Sequence, residues 1–120
     1  MGYVARAENI EVPCYADWDI TLTWYTTIAE TAVVDLTNYT ARMKIRRKQS
    51  DSGHLASLTN SSGITLGGSA GTIVIKLTDT QTAAITPGPA VYDLEMIDGS
   101  GYVRRLIEGS LTFIPSVTRN

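Results

Sequence analysis

The chain has 120 residues, 43% of them hydrophobic and 18% charged, and a formal net charge of −2. Such a chain is one ordinary domain with enough apolar material for a core, which excludes a disordered or membrane-embedded chain and any global field drawing nucleic acid or an anionic bilayer. A single cysteine, Cys14, rules out an internal disulfide, and a single histidine, His54, leaves few conventional transition-metal ligands.

The first segment, MGYVARAENIEVP, has no apolar stretch of signal-peptide length and carries Glu8 and Glu11 where one would sit. Arg6 occupies the position at which a myristoylation signal needs Ser or Thr. No apolar run approaches the roughly 18 residues that cross a bilayer. Synthesis in a cytoplasm, with no membrane partner, is the expectation. Residues 1–16 are the least patterned part of the chain. They are expected to form an arm that packs on a neighbour, with Tyr3, Val4, Ile10 and Val12 as its apolar contacts. Residues 17–120 are expected to form the single domain.

From there the period is that of strands, and helical spacing is nearly absent. Trp18, Ile20, Leu22 and Trp24 share one side of a strand, opposite Asp17, Asp19, Thr21 and Thr23. After Val33-Val34-Asp35-Leu36, Ala41, Met43 and Ile45 alternate with Arg42, Lys44 and Arg46 in a half-wet strand. Gln49 to Gly53 carries turn chemistry. Leu55 to Thr59 and Ile64 to Leu66, joined through Asn60-Ser61-Ser62-Gly63, read as a hairpin. The glycine-rich GGSAG turns into Thr72 to Leu77, partly apolar on both faces and so expected to lie centrally in a sheet.

Thr78 with Gln81 three residues on fits a capping box, predicting a short helix near 78–86 that ends at Pro87-Gly88-Pro89. Ala90 to Ile97, a turn at Asp98-Gly99-Ser100-Gly101, and Tyr102 to Glu108 form a second hairpin. Ser110 to Ile114 continues it past Gly109, where a bulge or bend is expected. Seven or eight short strands with turns between them predict an all-β, antiparallel sandwich of immunoglobulin-like or jelly-roll-like type.

Several clusters invite a chemical reading. Asp93 and Glu95 lie two apart in one strand, roughly 6.5 Å at the backbone, a separation a glycosidase pair can have. The same alternation makes them the wet side of the hairpin, with Glu95 near Arg104 or Arg105 as a cross-strand partner, and this reading is the stronger. The run Arg42 to Lys48 holds five of the ten basic residues and could neutralise phosphates. No aromatic residue interrupts it for base stacking, and the acidic hairpin offers a nearer partner, which disfavours nucleic acid. GGSAGT lacks the Lys-Ser or Lys-Thr of a phosphate loop and leads into a strand. Asp17 and Asp19 are too few for calcium, His54 beside Asp51 is too little for a triad, and Cys14 has no activating neighbour. Trp18, Trp24 and the tyrosines could make a sugar platform, although tryptophans at this alternation are usually core. No cofactor is expected.

The segments Asp19 to Thr23, Val34 to Met43, Gly63 to Leu66, Tyr92 to Glu95 and Gly109 to Phe113 together resemble a family of small virion proteins of tailed bacteriophages. In that family a "VDLTG-Y-A-MQVR"-like strand, a glycine-led hairpin, a short Thr- and Ala-containing helix and a "YDLE" strand follow in order. The chain then closes on an end like Gly109 to Arg119. This sequence departs from that pattern at Asn38, where glycine is common, at Ser116, where an acid is usual, and in its N-terminal arm. The resemblance covers about residues 17 to 119. It implies a non-enzymatic virion component, tail- or baseplate-associated and similar to the sandwich that begins baseplate upper proteins. The implied partners are other virion proteins, with a homo-oligomer, a trimer or larger ring, expected from particle symmetry. Arg42, Lys44 and Arg46 join the arm as expected assembly contacts. A capsid-decorating protein and a carbohydrate- or receptor-binding module are the alternatives.

Overall fold

A computed structural model describes residues 10–26, 29 and 31–118, and the backbone of residues 3–4. The elements run β1 (Tyr3–Val4), β2 (Ile10–Pro13), β3 (Trp18–Tyr25), β4 (Thr40–Arg46), β5 (Ala56–Thr59), β6 (Ile64–Leu66), β7 (Thr72–Leu77), α1 (Asp79–Ala83), β8 (Gly88–Ile97) and β9 (Val103–Ile114). Among the described residues they make two sheets, one ordered β1-β3-β7-β6 and the other β2-β9-β8-β4-β5. The fold is thus mostly β with one short helix.

Alternation builds the core. Ile20, Leu22 and Trp24 of β3 and Ile73, Ile75 and Leu77 of β7 are buried from the first sheet. Ala41, Met43 and Ile45 of β4, Tyr92, Leu94 and Met96 of β8, and Leu111 and Phe113 of β9 are buried from the second. All belong to one core cluster. A fully buried Leu, Ile, Met or Phe contributes about 1.5–3 kcal/mol, so these alternating residues are the main source of stability. β7 lies between β3 and β6, the interior position its two partly apolar faces suggest.

The helix forms as its cap predicts. Gln81 donates its backbone N–H to Thr78 Oγ1 at 3.2 Å, and the Thr78 N–H is returned to Gln81 Oε1 at 2.8 Å. α1 is shorter than the expected span near 78–86, closing at Ala84, whose N–H bonds back to the carbonyls of Gln81 and Thr82.

Four expectations are corrected. First, residues 10–16 are not a detached arm. β2 pairs with β9, Val12 lies opposite Phe113 with no solvent exposure, and Cys14 is buried with its thiol directed at the Ile85 carbonyl. Ala16 and the buried Thr82 exchange hydrogen bonds of 3.1 and 2.9 Å. Second, β2 runs parallel to β9, so the second sheet is mixed rather than purely antiparallel. Four residues ending in proline are too short for a period to reveal, and Pro13 is tolerated because β2 is an edge strand.

Third, β5 and β6 are not a hairpin but belong to different sheets. A tight turn closes with reciprocal 2.9 Å bonds between Thr59 and Ser62, after which Lys76 donates to the Gly63 carbonyl and draws the chain onto β7. Gly63 has φ +96, and a Cβ there would sit 2.6 Å from Leu58 Cδ2, so the crossing needs glycine. Fourth, Gly109 lies in regular register opposite Tyr92, while the register slips at Leu106: Leu94 faces Ile107 but Glu95 faces Arg105.

Candidate functional site

The outward residues of β4, β8 and β9 form a charged face on the second sheet. Register makes two rows. Arg42 faces Glu95, which faces Arg105; Lys44 faces Asp93, which faces Glu108. Arg105 and Glu108 are three apart, a spacing that puts strand residues on opposite faces unless an extra residue intervenes. Leu106 is that residue. Leu106 and Ile107 both pack against the core, leaving Arg105 and Glu108 exposed on one face.

Each acid of the central strand takes an arginine. Arg42 Nε meets Glu95 Oε1 at 2.6 Å, Arg105 Nε meets Asp93 Oδ2 at 3.5 Å, and Arg105 Nη1 meets Glu108 Oε1 at 3.3 Å. Arg105 therefore reaches diagonally to Asp93 rather than straight across to Glu95. Arg104 faces Met96 in the ladder, and its guanidinium lies 5.4 Å from the Tyr102 ring centroid. All these side chains keep contact with water, so each pair contributes about 0–1 kcal/mol. Asp93 and Glu95 are tied into the sheet's charge pattern, the role expected of the hairpin's wet side.

A groove of 640 Å³ runs over this face, bordered by Arg42, Lys44, Arg46, Asp93, Glu95 and Arg105. Its basic end differs from its acidic end. Lys44 makes no ion pair among the described residues. Arg46 is half-buried, and its Nη1 is shielded from solvent without a hydrogen-bond partner. Arg47, next in sequence, is spent structurally: Nη1 donates to the Pro89 carbonyl at 2.9 Å and Nη2 to that of Thr86, holding the chain between α1 and β8.

The remaining candidates take structural places. Asp17 Oδ1 accepts the Asp79 N–H at 2.8 Å, bonding the start of α1. Trp24 is buried, with its ring edge-on to Tyr39 at 5.7 Å, and Trp18 packs against the core; the two do not form an open platform. Of the expected assembly contacts, Val12 is inside this chain's own core and Ile10 packs against it. The β1 backbone pairs Tyr3 with Tyr25 and Val4 with Trp24, while the Tyr3 and Val4 side chains lie outside the described residues. Arg42, Lys44 and Arg46 are brought together along one wall of the groove.

Two further acids are tuned by local turns. At the hairpin tip, Asp98 Oδ1 accepts from Ser100 Oγ at 2.7 Å, Ser100 N at 2.9 Å and Tyr102 N at 3.0 Å. These bonds, the Ser100 hydroxyl first, hold its carboxyl below the ordinary 3.8. Asp35 Oδ1 accepts from the Thr37 hydroxyl at 2.7 Å and the Thr37 N–H at 2.9 Å, and its carboxyl is lowered for the same reason.

No protein-family model and no curated protein matches the chain. What its geometry offers is a large outward sheet face with paired charges, spare donors at one end and room for a contacting segment.

Proposed function

We propose that the chain is a non-enzymatic structural component of a tailed bacteriophage particle, tail- or baseplate-associated, that binds other virion proteins. The observation that carries the reading is the order of the segments resembling phage virion proteins. They fall in succession on β3, the turn entering β4, β6, β8 and β9. The backbone at Asn38 supports it. Its φ of +72 is the left-handed conformation glycine adopts most readily, and glycine is the residue common at that point of the resembling family. In this reading the two sheets close as a sandwich of immunoglobulin-like or jelly-roll-like type, and the charged face of β4, β8 and β9 meets a neighbour. Copies are arranged as a trimer or larger ring by the symmetry of the particle.

Mass spectrometry of purified virions tests the proposal. The chain should appear in multiple copies per particle, and its absence from particles would overturn the reading. Density for the chain on the head rather than the tail would move it to capsid decoration.

A further inference from the structure

The groove is not electrically uniform, and its asymmetry selects a partner chemistry. At the acidic side, Glu95, Asp93 and Glu108 already share the guanidinium groups of Arg42 and Arg105. At the other side, Lys44 and Arg46 stand two residues apart on β4, their Cα atoms roughly 6.5 Å apart and their side chains on the same face. The Lys44 ammonium makes no ion pair among the described residues, and the Arg46 Nη1 is buried with no acceptor. A donor shielded from water is costly to leave unmade, and a carboxylate is the acceptor that answers a guanidinium most strongly.

We infer that the Lys44–Arg46 end of the groove receives a carboxylate side chain from an extended acidic segment of a neighbouring protein. The inference rests on the assembly reading for where that neighbour comes from, but the chemistry of the contact stands on the groove itself. A volume of 640 Å³ holds several side chains of such a segment, and the open sheet face lets it lie across the strands. A nucleic-acid strand fits less well. Tyr92, the aromatic residue at the groove, is buried and offers no stacking face for a base.

The test uses the full chain and a fluorescein-labelled hexaglutamate peptide, with binding read by fluorescence anisotropy at low salt. Binding is expected, with affinity falling as salt rises. Lys44→Gln with Arg46→Gln should weaken it about tenfold, the scale of two solvent-screened ion pairs. Because Arg46 is half-buried, Lys44→Glu is the companion variant, compared with Lys76→Glu on the other sheet at the same net charge. Lys44→Glu should abolish binding while Lys76→Glu weakens it only slightly.

Equal loss in the two single variants would mean a net-charge effect and would overturn the inference. So would an absence of peptide binding, tighter binding of hexalysine, or tighter binding of an oligothymidylate than of the peptide. These outcomes are independent of the virion measurement. A chain found in particles that ignores hexaglutamate loses this contact and keeps its assembly role, whereas a chain absent from particles that binds the peptide keeps the contact and loses that role.

Discussion

Arg42 and Glu95 stand directly opposite each other on β4 and β8, and their side chains meet at 2.6 Å, although Arg105 flanks Glu95 from the other strand. The acid has two register partners and bonds one. Both members of the pair keep solvent contact, so screening limits the gain. Glu95→Gln should cost less than about 1 kcal/mol, and a double-mutant cycle with Arg42→Gln should give a coupling of about 0.2–1 kcal/mol that shrinks in high salt. Urea unfolding measures both quantities. A coupling of several kcal/mol would mean that the face is far less solvated than its exposure indicates.

Val12 distinguishes a strand of the body from a docking arm. It is fully buried opposite Phe113, so Val12→Ala should destabilise the isolated chain by about 2 kcal/mol through lost burial and a residual cavity. Val12→Asp should leave an unpaired buried carboxylate and prevent stable folding. Thermal unfolding followed by circular dichroism reads the difference. Unchanged stability in both variants would return residues 10–13 to an arm.

Asn38 occupies the third position of a turn closed by the Tyr39 N–H on the Leu36 carbonyl at 3.0 Å, and its φ is +72. A positive φ there is what a type II turn requires, and Asn tolerates it better than other residues with a Cβ. Asn38→Gly should be neutral or slightly stabilising. Asn38→Val, β-branched in a left-handed conformation, should cost about 1–3 kcal/mol. Chemical denaturation of the two variants side by side checks the sign as well as the size.

The strands that sequence makes legible are those in which alternation persists. β3, β4 and β8 each place three or more apolar residues on one side, enough to fix a face, and the Thr78–Gln81 reciprocity fixes the start of α1. β2 is illegible for the opposite reason: four residues show almost no period, and its partner, β9, lies at the far end of the domain sequence. The crossing from β5 to β6 hides because a serine- and glycine-rich turn looks the same whether it returns to its own sheet or enters another.

On the charged face, the residue types are legible but the pairing is not. Which acid Arg105 takes depends on the bulge at Leu106 beside it, since bulges redirect neighbouring side chains. Its signal is the apolar doublet Leu106-Ile107 between charged Arg105 and Glu108, a break in alternation more informative than the glycine at 109. The spare donors of Lys44 and Arg46 emerge only in three dimensions, because sequence sets acids and bases side by side without saying which remain unmatched.

Asp98 gives the hairpin tip a pH dependence whose sign follows from its hydrogen bonds. Its folded carboxyl titrates below the ordinary 3.8 because Ser100 and Tyr102 donate to the charged form. The unfolded chain therefore takes up a proton before the folded one as acid is added. Stability from these bonds is fully present above the ordinary value and is lost as pH falls below it and through the folded value. Asp98→Asn removes the titration while keeping an acceptor oxygen at the same place. The urea midpoint of the native chain should exceed that of the variant at neutral pH, and the gap should close as pH falls below the ordinary value and through the folded one. Asp35→Asn should behave in the same direction, since Thr37 plays the part of Ser100. A gap that widens on acidification would mean that these carboxyls are raised in the folded chain, contrary to the bonds that surround them.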